Sequence, residues 1–446
     1  MTKNMPQQSE IARLFALHGR SHLTARTSSA EERRAKLLRF RAALLDHSQA
    51  ICEAIGADLG RPAAMAKSAE VDATIAEIDL AVAQLDEWMA PAAVTPILPI
   101  PNGRAEIRAQ SRGRVLVLGP WNFPVGLVLQ PIVAAVAAGN TVIAKPNELS
   151  PASSAATTAL LRAGFDEADV AVLEGGVDVA EALLALPFDH IFFTGSPAVG
   201  RMVMAAAARH LASVTLELGG KCPVVIGDDA DVDAVAATVA GARCINAGQL
   251  CLAPDHVWVP RDRFDLFVSA LTAQLRAKFH DDQGRFLPER VGRIINDRNF
   301  RRLSAYIDDA VAAGAVIHCG GGRDANALTI VPTVLGNVPL DATIMQEEIF
   351  GPILPVQPYD QLDEVLAYHR GRGKPLACYV FGRDQQFVKT VLDGIPSGGA
   401  TINAVILHAS DLGLPFGGVN ESGIGRYHGV HGFRELSHER SVFIMP

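Results

Sequence analysis

Two stretches rich in Ala, Leu and Glu, Ser28 to Gly60 and Pro62 to Met89, carry the composition of long helices. A charged amphipathic run from Arg20 to Arg41 predicts helix at the N-terminus and offers no apolar block of the kind a signal peptide needs. Pro91 to Gln110 is proline-rich and predicts extended chain. From Val115 onward short apolar runs at 115–118, 141–144, 170–173 and 190–193 alternate with helix-like segments, which predicts a doubly wound parallel sheet. A second alternation follows Cys222, with strands expected at Pro223–Ile226, Val257–Val259, Ala315–His318 and Leu376–Phe381.

No residue from Val115 to Ala144 is charged, a length that would span a bilayer. Pro120, Pro124, Pro131, Gly119, Gly126, Gly139, Asn122 and Asn140 break the stretch into strand, loop, short helix and strand, so a buried sheet and helix are expected and no membrane partner. The chain of 446 residues is 49% hydrophobic, enough to bury a large core divided among more than one domain. A net charge of −8 without a basic tract argues against nucleic acid as a partner. The six cysteines (52, 222, 244, 251, 319 and 378) have neither paired nor metal-ligand spacing, which suits a reducing cytoplasm. The histidines at 408, 428, 431 and 438 match no zinc signature, so no metal is expected and a structural role near an interface is.

The chemistry gathers around Cys251, which closes Asn246-Ala-Gly-Gln-Leu-Cys251 downstream of Glu217-Leu-Gly-Gly-Lys221. A thiol beside glycine turns with a carboxylate from elsewhere in the chain suits covalent attack on a carbonyl. Taken alone, Cys251 also suits the small buried core residue that most free cysteines are. Attack on a carbonyl creates an oxyanion that needs preorganised donors, and Asn122 in Gly119-Pro-Trp-Asn-Phe-Pro124 offers an amide between two prolines. A plain turn residue is the other reading of that asparagine. The run Phe193-Thr-Gly-Ser-Pro-Ala-Val-Gly200 opens a helix whose N-terminus suits a phosphate, although G-x-G-x-x-G is absent. The strand Val142–Lys145 delivers Lys145 and then Glu148 to a strand end, where ligands bind in open α/β sheets; a solvated strand exit is the alternative.

Seven motifs in one order resemble the NAD(P)-dependent aldehyde dehydrogenase superfamily over nearly the whole chain. They are Pro120-Trp-Asn-Phe-Pro124, Lys145-Pro-Asn-Glu148, Phe193-Thr-Gly-Ser196, Glu217-Leu-Gly-Gly-Lys221, Gly248-Gln-Leu-Cys251, Gln346-Glu-Glu-Ile-Phe-Gly-Pro352 and Pro415-Phe-Gly-Gly418. Cys251-Leu-Ala-Pro-Asp255 and the ending Gly423-Ile-Gly-Arg-Tyr-His-Gly429 resemble the class three branch, and within it the bacterial coniferyl aldehyde dehydrogenases.

The resemblance implies an α/β fold with a Rossmann-type cofactor domain (1–92 and 112–219), an α/β catalytic domain (220–419) and a small oligomerisation arm with the C-terminal tail (93–111 and 420–446), forming a homodimer. It implies Cys251 as nucleophile, Asn122 with the Cys251 backbone N–H as oxyanion donors, and Glu217 as the base for a hydrolytic water. For NAD, or NADP, it implies Lys145 and Glu148 at ribose hydroxyls, Ser196 at the pyrophosphate, Glu348 and Phe350 at the nicotinamide-side ribose, and Trp121, Thr194, Gly195, Gly200, Leu218 and Gly219 around them. Phe123, Leu250 and Phe416 would line an aldehyde tunnel. Cys222 and Asn420-Glu421 depart from the family pattern and are expected to affect only local packing. A non-catalytic protein on the same fold stands as one rival and is disfavoured by the joint presence of Cys251, Glu217 and Asn122. A cysteine hydrolase stands as another, but it needs a His base, and only His256 lies near Cys251, in a strand-like run.

Overall fold

The computed structural model describes residues 5–446, with side chains from Gln8 onward. Its first sheet has six strands in the order Gly423–Ile424, Ser213–Glu217, His190–Thr194, Arg114–Leu118, Thr141–Lys145, Val170–Val172, all parallel except the first. Successive side chains of a strand point to opposite faces. Val115 and Val117 accordingly enter the core under helices Ala30–Leu59 and Gly126–Ala137, while Leu116 and Leu118 pack with Ile11 and Leu14 of helix Met5–Ala25. Both faces are covered, which is why these strands are apolar without alternation. The chain winds one way from Arg114–Leu118 through Val170–Val172 and the other way from His190–Thr194 to Ser213–Glu217. The switch point therefore lies between Arg114–Leu118 and His190–Thr194, and the crevice outside their carboxyl ends is where such sheets bind ligands.

The second sheet runs Val316–Cys319, Thr333–Gly336, Ile353–Tyr359, His256–Pro260, Pro223–Ile226, Ala377–Phe381, Gly399–Ile402, parallel except for its first, antiparallel edge strand. A third, antiparallel sheet joins Ala92–Val94 and Arg104–Ser111 to the C-terminal strand Ser437–Ile444. Among the described residues no helix is long and apolar enough to cross a membrane; the uncharged stretch from Val115 is strand, helix Gly126–Ala137 and strand.

Two local expectations need correction. Arg20 to Arg41 is not one helix: Met5–Ala25 ends and Ala30–Leu59 begins, separated by a turn, because Ser29 caps the second helix. Its hydroxyl accepts from Glu32 N–H at 3.2 Å and the Glu32 carboxylate accepts from Ser29 N–H at 2.7 Å, a capping box spelled by Ser29-Ala-Glu-Glu32. Pro62 to Met89 is helical but contains a π turn at Lys67–Asp72. The strands Ser213–Glu217, Thr333–Gly336, Ile353–Tyr359 and Gly399–Ile402 were not legible; Ile353–Tyr359 contains Pro355 and Pro358, residues that argue against a central strand.

Candidate active site

The named motifs meet where the carboxyl edge of the first sheet faces the amino edge of the second. Glu217 ends strand Ser213–Glu217, and Cys222 immediately precedes Pro223–Ile226. Cys251 lies ahead of His256–Pro260 and Glu348 ahead of Ile353–Tyr359.

Asn246, Ala247 and Gly248, with φ of 52°, 54° and 72°, make three successive left-handed residues before the thiol. A Cβ on Gly248 would lie 2.3 Å from the Gly351 carbonyl oxygen, so only glycine fits that approach. The buried Gln249 amide donates to the carbonyls of Asn246 and Arg293, both at 3.0 Å, and its oxygen accepts from Ile295 N–H at 3.0 Å. Cys222 does more than pack: its thiol donates to the Cys251 carbonyl at 3.3 Å and accepts from Ala377 N–H at 3.3 Å. Tyr379 Oη donates to the Leu252 carbonyl at 2.7 Å. The nucleophile loop is thus held at 246, 249, 251 and 252, with the half-buried thiol of Cys251 at its centre.

Burial, with the nearby charges of Glu348 and Glu217, pushes that thiol up to about 12. Asn122 is 5% exposed and donates from Nδ2 to the Gln249 carbonyl at 3.1 Å, while Asn246 Nδ2 donates to the Asn122 carbonyl at 2.9 Å. The asparagine amide has a second N–H. Glu217 is 3% exposed, and neither carboxylate oxygen has a hydrogen-bond partner among the described residues. Burial raises its pKa well above the carboxylate range, with Arg426 opposing the shift and Glu435 adding to it. A buried carboxyl left without partners is costly unless it is neutral or meets something that arrives.

On the other side of the crevice, Lys145 Nζ donates to Glu148 at 2.8 Å and to the Pro146 carbonyl at 3.2 Å. Ser196 caps helix Pro197–Ala208, whose N-terminus opens at the switch point, and the neighbouring Thr194 hydroxyl is buried without a partner. Leu218 packs under Gly200, where a Cβ would lie 2.8 Å from it. A Cβ on Gly219 would fall 2.2 Å from the Glu348 carboxylate, so that acid lies directly against the backbone at Gly219. Burial and the Asp255 charge raise Glu348 to about 7. The Trp121 and Phe350 rings meet edge to face at 5.4 Å.

A model of the aldehyde dehydrogenase family matches residues 7–442. The chain belongs to the aldehyde dehydrogenase family. It is 46% identical over 442 residues to the AldX protein of Bacillus subtilis, covering 99% of each. It is 40% identical over 432 residues to a protein named probable coniferyl aldehyde dehydrogenase of Caulobacter vibrioides, covering 95% of this chain and 88% of that one. Among solved structures, the substrate-bound state of Staphylococcus aureus AldH superposes with a TM-score of 0.93 at 35% identity, covering 98% of this chain and 94% of that one. The Mycobacterium tuberculosis aldehyde dehydrogenase complexed with NAD+ does so at 0.84 and 30% identity, covering 94% and 86%.

The remaining residues of this family member fall less simply. Leu250 is half-buried; Phe416 is 7% exposed and packs on Tyr427 and His428, with centroids at 5.5 and 5.3 Å. Phe123 lies beneath the Arg61 guanidinium, 4.3 Å from its ring centroid. His256, fully buried on strand His256–Pro260, stacks at 5.4 Å on His369 of helix Leu362–His369, which places it as a core ring. His428 is paired with buried Glu77 and His408 with Thr401 at 2.8 Å. Sequence reasoning missed Arg61 and Glu70 altogether and quoted Asn246 and Gln249 only as part of the run before the thiol, without the bracing role that their side chains have. Glu70 and Arg61 carried no signal because their partners lie up to 185 residues away.

Proposed function

We propose that this oxidoreductase converts an aldehyde to its carboxylic acid, with Cys251 as nucleophile, Asn122 and the Cys251 backbone N–H as oxyanion donors, and Glu217 as the base for water. The observation that carries the proposal is the buried, unpartnered Glu217 carboxyl within electrostatic reach of the Cys251 thiol. The Cys251 thiolate adds to the aldehyde carbon, the carbonyl π bond breaks, and the oxygen takes the negative charge against the second N–H of the Asn122 amide. Loss of hydride from that carbon leaves a thioester. Glu217 in its ionised form accepts a proton from water as the water attacks the thioester, the carbon–sulfur bond breaks, and the acid departs from the restored thiolate. A coenzyme A-acylating relative would need no such base, because a thiol is the acceptor.

The residues fit a nicotinamide dinucleotide: an unpartnered Thr194 hydroxyl, a helix N-terminus at Ser196, and the Glu348 carboxylate against Gly219 leave polar groups facing one crevice. The M. tuberculosis relative is described as complexed with NAD+. When bound, the nicotinamide supplies the hydride acceptor. Lys145 and Glu148 would hold ribose hydroxyls, Ser196 the pyrophosphate, and Glu348 with Phe350 the second ribose, with Trp121, Gly195, Gly200 and Leu218 completing the walls. Glu148 would accept from a ribose hydroxyl and would repel a 2′-phosphate, which favours NAD over NADP.

The substrate reading is an aromatic or apolar aldehyde such as coniferyl aldehyde, supported by the name of the C. vibrioides relative and by Trp121, Phe123, Leu250 and Phe416. Medium- or long-chain aliphatic aldehydes are the second reading. Residues 1–92 and 112–219 are taken as the cofactor domain, 220–419 as the catalytic domain, and 93–111 with 420–446 as a dimer-forming arm, in a cytoplasmic enzyme. Cys251→Ala tests the core of the proposal: NADH formation should fall by on the order of 10³-fold or more while NADH binding persists, and retained turnover above about a hundredth of wild type would refute it. A panel of coniferyl aldehyde, benzaldehyde, hexanal and acetaldehyde tests the substrate reading, with acetaldehyde giving the lowest kcat/KM.

A further inference from the structure

The helical stretch between Ala63 and Met89 is interrupted by the π turn Lys67–Asp72, and such insertions re-aim a side chain at the expense of regular helix geometry. Within that turn stands Glu70, which is fully buried. One of its carboxylate oxygens accepts from the backbone N–H groups of Val125 and Gly126 at 2.8 and 2.9 Å. The other accepts from Arg61, itself 2% exposed. The rest of the Arg61 fork points elsewhere: one terminal nitrogen donates to the Asn122 carbonyl, and Nε donates to Asn246 Oδ1 at 3.2 Å. One planar cation therefore ties the loop carrying Asn122 to the left-handed turn that leads to Cys251, while its counter-ion grips the chain three and four residues beyond Asn122.

We propose that Arg61 and Glu70 are positioning residues for the oxyanion site, fixing where the Asn122 amide stands relative to the Cys251 thiol. This rests on the reading of Asn122 and Cys251 given above. A buried ion pair is weak support for stability, since an apolar pair of similar volume often serves as well. Placing a donor is a stricter demand: a productive site tolerates errors of only about 0.5 Å and 10–20°. Only a guanidinium presents donors in a rigid fork that reaches Glu70, Asn122 and Asn246 together; an ammonium keeps the charge and loses the geometry.

The test uses the full-length protein and two variants, Arg61→Lys and the double variant Arg61→Met/Glu70→Met. Five quantities are measured: kcat and KM for aldehyde oxidation, the NADH dissociation constant, Tm, and the rate at which iodoacetamide alkylates Cys251. Alkylation consumes the thiol but builds no oxyanion, so displacement of Asn122 leaves it alone. Arg61→Lys should lower kcat by about ten- to a hundredfold, with alkylation and NADH affinity within about twofold of wild type. The double variant should recover Tm and not kcat. Recovery of kcat together with Tm, or alkylation falling in step with turnover in Arg61→Lys, would overturn the proposal, because the pair would then be structural. If the double variant does not fold, the alkylation comparison in Arg61→Lys decides alone. Wild-type protein that neither oxidises aldehydes nor labels at Cys251 overturns the underlying functional reading, an outcome visible without any variant.

Discussion

Glu217 sits 3% exposed with both carboxylate oxygens unpartnered, and this one residue links activity to stability in opposite directions. Its folded pKa is raised, so between the unfolded and folded values the native state binds more protons and loses stability as pH rises. Glu217→Gln removes that loss: the variant should unfold at a higher temperature than wild type near pH 8, and the difference should vanish as pH falls to about 4. The same variant should release a burst of NADH and then turn over slowly, because the thioester forms and no base activates water. Rapid-quench kinetics and thermal melts across pH read both arms; a variant with neither burst nor slowing would make Glu217 a structural residue. Cys251, held up to about 12 in the protein alone, reacts only as thiolate, so alkylation should quicken with pH. The expected rise is roughly tenfold per pH unit below that value, and a rate independent of pH from 6 to 9 would contradict it.

At the scale of elements, the nucleophile loop is a short turn whose shape depends on backbone contacts more than on its own sequence. Gly248 carries the strictest of these, with φ of 72° and the Gly351 carbonyl oxygen 2.3 Å from where a Cβ would stand. Gly248→Ala should therefore destabilise the protein by about 1–3 kcal/mol and lower kcat more than KM, because the loop must shift under Cys251. Chemical denaturation and steady-state kinetics check it; unchanged stability would mean that the neighbouring Gly351–Pro352 segment gives way instead. The capping box at Ser29 belongs to the same scale. It separates two helices that composition runs together, and its signal was present in Ser29-Ala-Glu-Glu32.

At the scale of the whole molecule, the three-stranded sheet of Ala92–Val94, Arg104–Ser111 and Ser437–Ile444 joins two segments more than three hundred residues apart. It leaves Ile97 fully exposed, Leu98 61% exposed and Phe443 41% exposed. Apolar exposure gathered on one projecting element suits a second copy of the chain better than water. Ile97→Asp combined with Leu98→Asp tests that pairing: the mass read by light scattering should fall below that of wild type while the Cys251 site stays labelled by iodoacetamide, and an unchanged mass would mean that the arm joins no second copy.

The sequence by itself determined the apolar strands at 115–118, 141–144 and 190–193, the two long helices, and the short motifs in which Cys251, Asn122, Glu217 and Glu348 stand, because each is set by local spacing or by a short run of residues. What only the tertiary structure decided is how they meet. The carboxyl edge of one sheet and the amino edge of another come together through contacts between residues far apart in the chain, Arg61 with Asn246 and Asn122 with Gln249 among them. Hydrogen bonds of that kind leave no periodicity to read, since neither partner's neighbours in sequence change when the other is present. The orphaned carboxyl of Glu217 is equally a property of the fold: a glutamate in sequence has no burial, and burial is what gives this one its raised pKa.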